Sequence, residues 1–159
     1  MMRIEPASID QIRDVALRMR ARDFDEFRAL NFADTREALA EALAARYAAR
    51  DDILCASRDG EDICVGGFLE HRPRVVSLML YATDSFPRIG YGLTRFILRE
   101  MFPRLAAAGI HRIEAISLAD YSAVHEWLRT LGLGAETPPL RNFGKNGESF
   151  VQFAKVAHV

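Results

Sequence analysis

One stretch of this sequence, Pro87-Arg88-Ile89-Gly90-Tyr91-Gly92, has residue types and spacing that could cradle a phosphate. Glycine lets a ligand approach the backbone closely, and the free first amides of a helix, with its dipole, attract an anion. Arg88 could add charge-assisted hydrogen bonds to phosphate. A strand-to-helix turn also uses glycine for geometry alone, and Gly90-Tyr91-Gly92 leaves both readings open. Groups able to move a proton are scattered around it. Glu70 and His71 end a strand, Asp84 follows the next one, His111 starts another, and His125 lies one helical turn after Tyr121. Tyr81 and Tyr91 could also donate. Each has an ordinary structural alternative, such as a solvated strand end, a turn or a surface pairing, so the catalytic residue stays unassigned.

The elements that position these groups follow from the patterning. Residues 3–6 read as a strand ending at Pro6. Ser8 and Gln11 form a capping box ahead of Ile12, Val15, Ala16 and Met19 at helical spacing, which predicts a helix over about 9–20. Phe24, Phe27 and Leu30 sit in a less regular acidic-aromatic stretch. Asp34 and Glu37 repeat the capping logic before an Ala-rich helix over 36–50. Short apolar runs, 53–56 and 63–65, flank Arg58-Asp59-Gly60-Glu61, a hairpin signal. Residues 75–82 form the next strand, and the glycine turn opens a helix carrying Leu93, Phe96, Ile97 and Met101. Pro103 should kink or restart that helix and Gly109 should end it. A strand over 111–117 places Ile113, Ala115 and Ser117 on one side. A helix over 120–131 turns Val124, Trp127, Leu128 and Leu131 inward, and the chain finishes with a turn at Lys145-Asn146-Gly147 and a strand over 150–156. Phe150 and Phe153 fall on opposite faces of that strand, and core packing is the expected role for most of the phenylalanines.

The length, 159 residues, fits one domain with no internal repeat or linker, and 1–159 is read as such. Twenty-one Lys and Arg against 22 Asp and Glu give a net charge of −1, so no basic face for nucleic acid is forced. The sequence has no apolar run long enough to span a membrane and no signal-peptide core, which makes a cytoplasmic protein the expectation. Cys55 and Cys64 make no disulfide framework. If Asp59 and Gly60 are the centre of a two-residue hairpin, Ala56 faces Ile63 and Cys55 faces Cys64. The expectation is two free, adjacent, buried thiols that hold no metal.

The order of elements, with a glycine turn between the fourth strand and the following long helix, resembles the GNAT (N-acetyltransferase) superfamily. The resemblance covers the whole chain in layout, and its sharper motifs lie between Leu80 and Leu133. It implies an α/β (α+β) fold, a central mixed and mostly antiparallel sheet of about seven strands flanked by four or so helices. It also implies acetyl-CoA as co-substrate, with the pyrophosphate held by the turn at Arg88, Ile89, Gly90, Tyr91 and Gly92, and the pantetheine arm held by the backbone of Leu80 and Ala82. Splaying of the fourth and fifth strands near Ala82 and Ser117 would admit that arm. The family usually has Gln or Arg where Pro87 stands, and proline removes one amide donor. Where the family often carries a proton-donating Tyr this chain has Leu128, and where one branch carries a Glu base it has Val76. Both usual proton carriers are absent.

Three stretches suggest a narrower likeness: Ala82-Thr83-Asp84-Ser85-Phe86, Glu114-Ala115-Ile116-Ser117, and Trp127 through Gly132, together with Leu140-Arg141-Asn142-Phe143-Gly144. They are similar to GNAT-like proteins encoded among the virion genes of tailed bacteriophages. Two functions follow. One is an acetyl-CoA-dependent N-acetyltransferase with an unknown amine acceptor, acting by direct acyl transfer in a ternary complex. The other is a catalytically degenerate GNAT-fold protein that binds phage virion proteins as an internal virion or morphogenesis component. A fold alone does not choose between them.

Overall fold

The structure is a computed structural model that describes residues 1–157. Seven strands form one sheet in the order β1-β2-β3-β4-β5-β7-β6. They are β1 (Met2–Pro6), β2 (Leu54–Arg58), β3 (Glu61–Arg72), β4 (Val75–Ala82), β5 (Arg112–Leu118), β6 (Gly134–Ala135) and β7 (Phe150–Val156). The helical segments are α1 (Ile9–Leu17), α2 (Ala21–Ala29), α3 (Arg36–Tyr47), α4 (Gly90–Phe96), α5 (Phe102–Ala107) and α6 (Ser122–Thr130). A π-helical stretch, Ile97–Met101, joins α4 to α5, so the helices amount to five continuous bodies. The sheet is mixed and mostly antiparallel. β4 and β5 pair in parallel at Val75↔Arg112, Val76↔Ile113 and Ser77↔Glu114, the first residues of each strand. No helix of the described residues is long and apolar enough to cross a membrane.

The chain divides into two compact units. The first comprises Met1–Gly67 and Met79–Leu93. Its helix α1 starts at Ser8, whose hydroxyl accepts from the Gln11 amide at 3.1 Å while the Gln11 side chain accepts from the Ser8 amide at 2.9 Å. That is the reciprocal arrangement the spacing predicts. Ile12, Val15 and Ala16 recur at helical spacing and are buried, with Leu39 and Leu43 of α3, Ile53 just before β2, and Ile63 and Tyr81 of the sheet. Removing each large apolar side chain from water contributes about 1.5–3 kcal/mol. Helix α3 is capped by Thr35, which accepts from Ala38 N at 3.1 Å, one residue later than the Asp34 expected.

The β2–β3 hairpin corrects the cysteine register. Asp59 (φ 50°) and Gly60 (φ 81°) make the tight turn as expected, with Arg58↔Glu61 and Ser57↔Asp62 paired. The register then shifts, and Ala56 faces Cys64 while Cys55 faces Val65. Ile63 is the extra residue of a bulge, which uniform pairing cannot foresee. Both thiols are free and buried.

The second unit holds Phe68–Leu78 and the chain from Thr94 onward. Here β5 pairs antiparallel with β7 along seven residues, from Arg112↔Val156 to Leu118↔Phe150. Ile113, Ala115 and Ser117 are all buried, as their alternation requires. Phe150 and Phe153, on opposite faces of β7, are both buried, so each face of that strand is covered. Pro103 is the second residue of α5, directly after the π-helical stretch. A proline there lacks the amide that an unbroken ladder would need, and the change of helical pitch accommodates it. Gly109, at φ 87°, ends the helix.

Candidate functional site

The site is built on the C-terminal half of β4 and the turn after it, within the first unit. After β4 the chain makes a 3-10 turn, Phe86–Arg88, and enters α4 at Gly90. Two amides of the expected cradle are used inside this turn: Arg88 N donates to Ser85 O and Ile89 N to Phe86 O, both at 2.9 Å. Leu93 N donates to Ile89 O at 2.8 Å, which makes Gly90, Tyr91 and Gly92 the first residues of the helix. The amides of a first helical turn have no intrahelical acceptor. The stretch that could face an anion is therefore narrower than the six residues expected, because the Arg88 and Ile89 amides are taken. Ile89 is buried and its side chain anchors the turn, while Tyr91 is 80% exposed.

The two glycines differ. A Cβ on Gly90 would come no closer than 3.4 Å to any neighbour, the Phe86 ring, which is ordinary contact. Its φ is not positive either. A Cβ on Gly92 would stand 3.0 Å from Met2 Cε and 3.2 Å from its sulfur, so Gly92 gives room to the N-terminal strand. Arg88, the one cation of the motif, is already matched. Its guanidinium donates to Glu61 Oε1 at 3.0 Å and to Asp59 Oδ2 at 3.2 Å. Its carbonyl accepts from Arg58.

Leu80 is half-buried and Ala82 is fully buried. Thr83 N donates to Ile63 O of β3 at 2.8 Å, so by strand alternation the backbone groups of Ala82 face the opposite edge of β4. Both have partners there. Ala82 N donates to Asp23 Oδ2 at 2.9 Å, and Ala82 O accepts from Arg20 N at 2.8 Å. The Arg20 guanidinium in turn donates to the same Asp23 oxygen at 3.1 Å and lies 4.8 Å over the Phe86 ring. Met19 bridges Thr83 in the antiparallel sense. Asp23 and Arg20 belong to the start of α2, a helix the sequence pattern did not reveal.

The groups able to carry a proton are dispersed. Glu70 accepts from Arg74 N at 2.7 Å and closes the β3–β4 turn, and His71 beside it is exposed. Asp84 is exposed. His111 is half-buried, and its backbone donates to Arg74 O at 3.1 Å. His125 is buried rather than on the surface, with Nε2 2.8 Å from Leu118 O and its ring 4.9 Å from Phe153. Tyr81 donates to Ile12 O at 3.0 Å, and burial pushes its phenol up, away from acid-base work near neutrality. Leu128 and Val76 are each 2% exposed and belong to the core. Burial, with Asp62 adding to it, pushes the Cys55 thiol up to about 12, and burial pushes Cys64 up as well. Both thiols act as small apolar side chains.

No protein-family model matches this chain, and no curated protein does. Solved structures do. The ribosomal-protein-S18-alanine N-acetyltransferase from Escherichia coli is similar with TM-score 0.67 at 14% identity, covering 100% of this chain and 96% of that one. The yncA protein of Salmonella typhimurium, in a structure with its cofactor acetyl-CoA, gives TM-score 0.68 at 17% identity over 99% and 94% of the two chains. An N-acetyltransferase from Staphylococcus aureus Mu50 gives 0.70 at 14% over 98% of each. At such identities the likeness establishes the fold, and this chain has the fold of the GNAT N-acetyltransferases.

Proposed function

We propose that this chain is an acetyl-CoA-dependent N-acetyltransferase-like protein, one GNAT-like domain whose turn at Gly90-Tyr91-Gly92 takes the pyrophosphate. The observation that carries this reading is Gly90. Its backbone conformation does not call for glycine, and a side chain there would meet only ordinary contact with Phe86. A residue without a side chain there suits the close approach of something outside the chain, and an anion suits the start of a helix. Arg88 adds positive charge beside it, shared with Asp59 and Glu61. The edge of β4 at Leu80 and Ala82 suits the pantetheine arm.

Transfer would be direct. The acceptor amine attacks the thioester carbonyl carbon, the carbon–sulfur bond breaks, the amine gives up a proton and the departing thiolate takes one. Leu128 and Val76 can carry neither proton, so water relays both. Calorimetric titration with acetyl-CoA tests the reading. One-site binding in the micromolar range is expected, with at least tenfold weaker binding by Gly90→Val at nearly unchanged unfolding temperature. Equal binding by the two proteins would reduce the turn to a structural connection.

A second reading has its own support. A GNAT-fold protein that works by binding, inside a phage particle, needs no proton carrier, and the Leu128 and Val76 positions are closed core. The occupied backbone of Ala82 also suits a protein that no longer admits an acyl group. Absence of heat with millimolar acetyl-CoA would favour it.

A further inference from the structure

We propose that Glu61 and Asp59 are positioning residues that hold the Arg88 guanidinium on the β2–β3 hairpin and so limit the charge it gives a bound phosphate. This rests on the acetyl-CoA reading above and deepens it. The hairpin turn at Asp59 and Gly60, both at positive φ, sets the two carboxylates on either side of one glycine. They meet one guanidinium that lies 27 and 29 residues further along the chain. Glu61 Oε1 accepts from Arg88 Nη1 at 3.0 Å, and Asp59 Oδ2 accepts from Nη2 at 3.2 Å. Arg58 of the same hairpin donates to the Arg88 carbonyl, which ties down the backbone that bears the side chain.

The two-pronged contact that a guanidinium makes with a phosphate uses two neighbouring N–H groups, at least one of them on an Nη. Each Nη of Arg88 already carries a carboxylate. A phosphate at the turn therefore shares the guanidinium with two negative charges or pulls it from them. The hold is uneven. Asp59 also accepts from the Met1 amine at 3.0 Å and lies 3.9 Å from Arg58, whereas among the described residues Arg88 is the one cation paired with Glu61. Glu61 is the firmer anchor. The side chains of Glu61, Arg88 and Asp59 are 37%, 42% and 61% exposed, so the hold is weak enough to yield to a ligand.

The test is a double-mutant cycle read by calorimetric titration with CoA. Arg88→Gln is made in the parent and in Asp59→Asn/Glu61→Gln, which removes the two charges and keeps the shapes. Removing them should tighten CoA binding about three- to fivefold, the worth of an exposed ion pair. Arg88→Gln should then cost about tenfold or more, against a few-fold in the parent. Binding without the carboxylates should also fall more steeply with salt, since the guanidinium is then unpaired, and a merely structural role would not move that slope. Should the double variant fail to fold, Glu61→Gln alone carries the same cycle. An equal cost of Arg88→Gln in both backgrounds, or weaker CoA binding without the carboxylates, would overturn the positioning role and leave the acetyl-CoA reading standing. No CoA binding by the parent or any variant would overturn both.

Discussion

At the residue scale, the chemistry of the turn divides between backbone and side chain. Arg88 is the obvious phosphate ligand in the sequence, yet Asp59 and Glu61 hold its guanidinium across the β2–β3 hairpin. Its exposure and shared charge make its contribution small. Arg88→Gln should weaken CoA binding only a few-fold, against tenfold or more for Gly90→Val, and titration of both variants at one salt concentration checks the order. The buried thiols give a second expectation. Cys55 is pushed up to about 12 in the folded state from an ordinary value near 9, and Cys64 and Tyr81 are pushed the same way. Above pH 9 the unfolded chain loses thiol protons that the folded chain keeps, so stability is full below that and falls as pH rises toward 12. Denaturant midpoints at pH 8 and 10.5 should show the loss, and Cys55→Ala should flatten it. At the acid end Glu114 resists the upward push of burial. Hydrogen bonds from Arg112, Arg72 and Gln152 hold its carboxyl below the usual range, a stabilisation lost as pH falls through it.

At the scale of elements, the sequence was legible wherever a periodic apolar pattern met a clear stop signal. β4 spans Val75–Ala82 and β7 spans Phe150–Val156, both as the alternation and turn residues indicated. Helix α2 was not legible, because Ala21–Ala29 carries three acids and four phenylalanine or alanine positions with no apolar stripe. It is held by Asp23, Arg20 and the edge contact of Phe27 with Tyr81, interactions that only the assembled sheet supplies. The β2–β3 register was legible at the turn and lost at Ile63, since a bulge leaves no mark in a two-residue hairpin signal. The turn after β4 was legible as a glycine turn, but its 3-10 entry, which uses the Arg88 and Ile89 amides, was not. Capping was clearest at α1. Ser8→Ala removes one half of a reciprocal pair and should lower stability by about 1 kcal/mol, measurable by urea unfolding. A loss below about 0.3 kcal/mol would mean that water replaces the cap.

At the scale of the whole molecule, seven strands in the order β1-β2-β3-β4-β5-β7-β6 and their helices give the GNAT fold, as the order of elements implied. A fold alone does not carry an activity, and Leu128 and Val76 are aliphatic and buried. What the fold retains is a bare glycine at the start of a helix, beside an arginine and at the end of a strand. On the proposed function, this turn takes the pyrophosphate of CoA. Amide chemical-shift mapping of the 15N-labelled protein during titration with CoA tests it most directly. The largest, saturable shifts should fall on Gly90, Tyr91 and Gly92, with smaller ones at Leu80. Saturating CoA that leaves those amides unmoved, or moves only amides of the second unit, would contradict it.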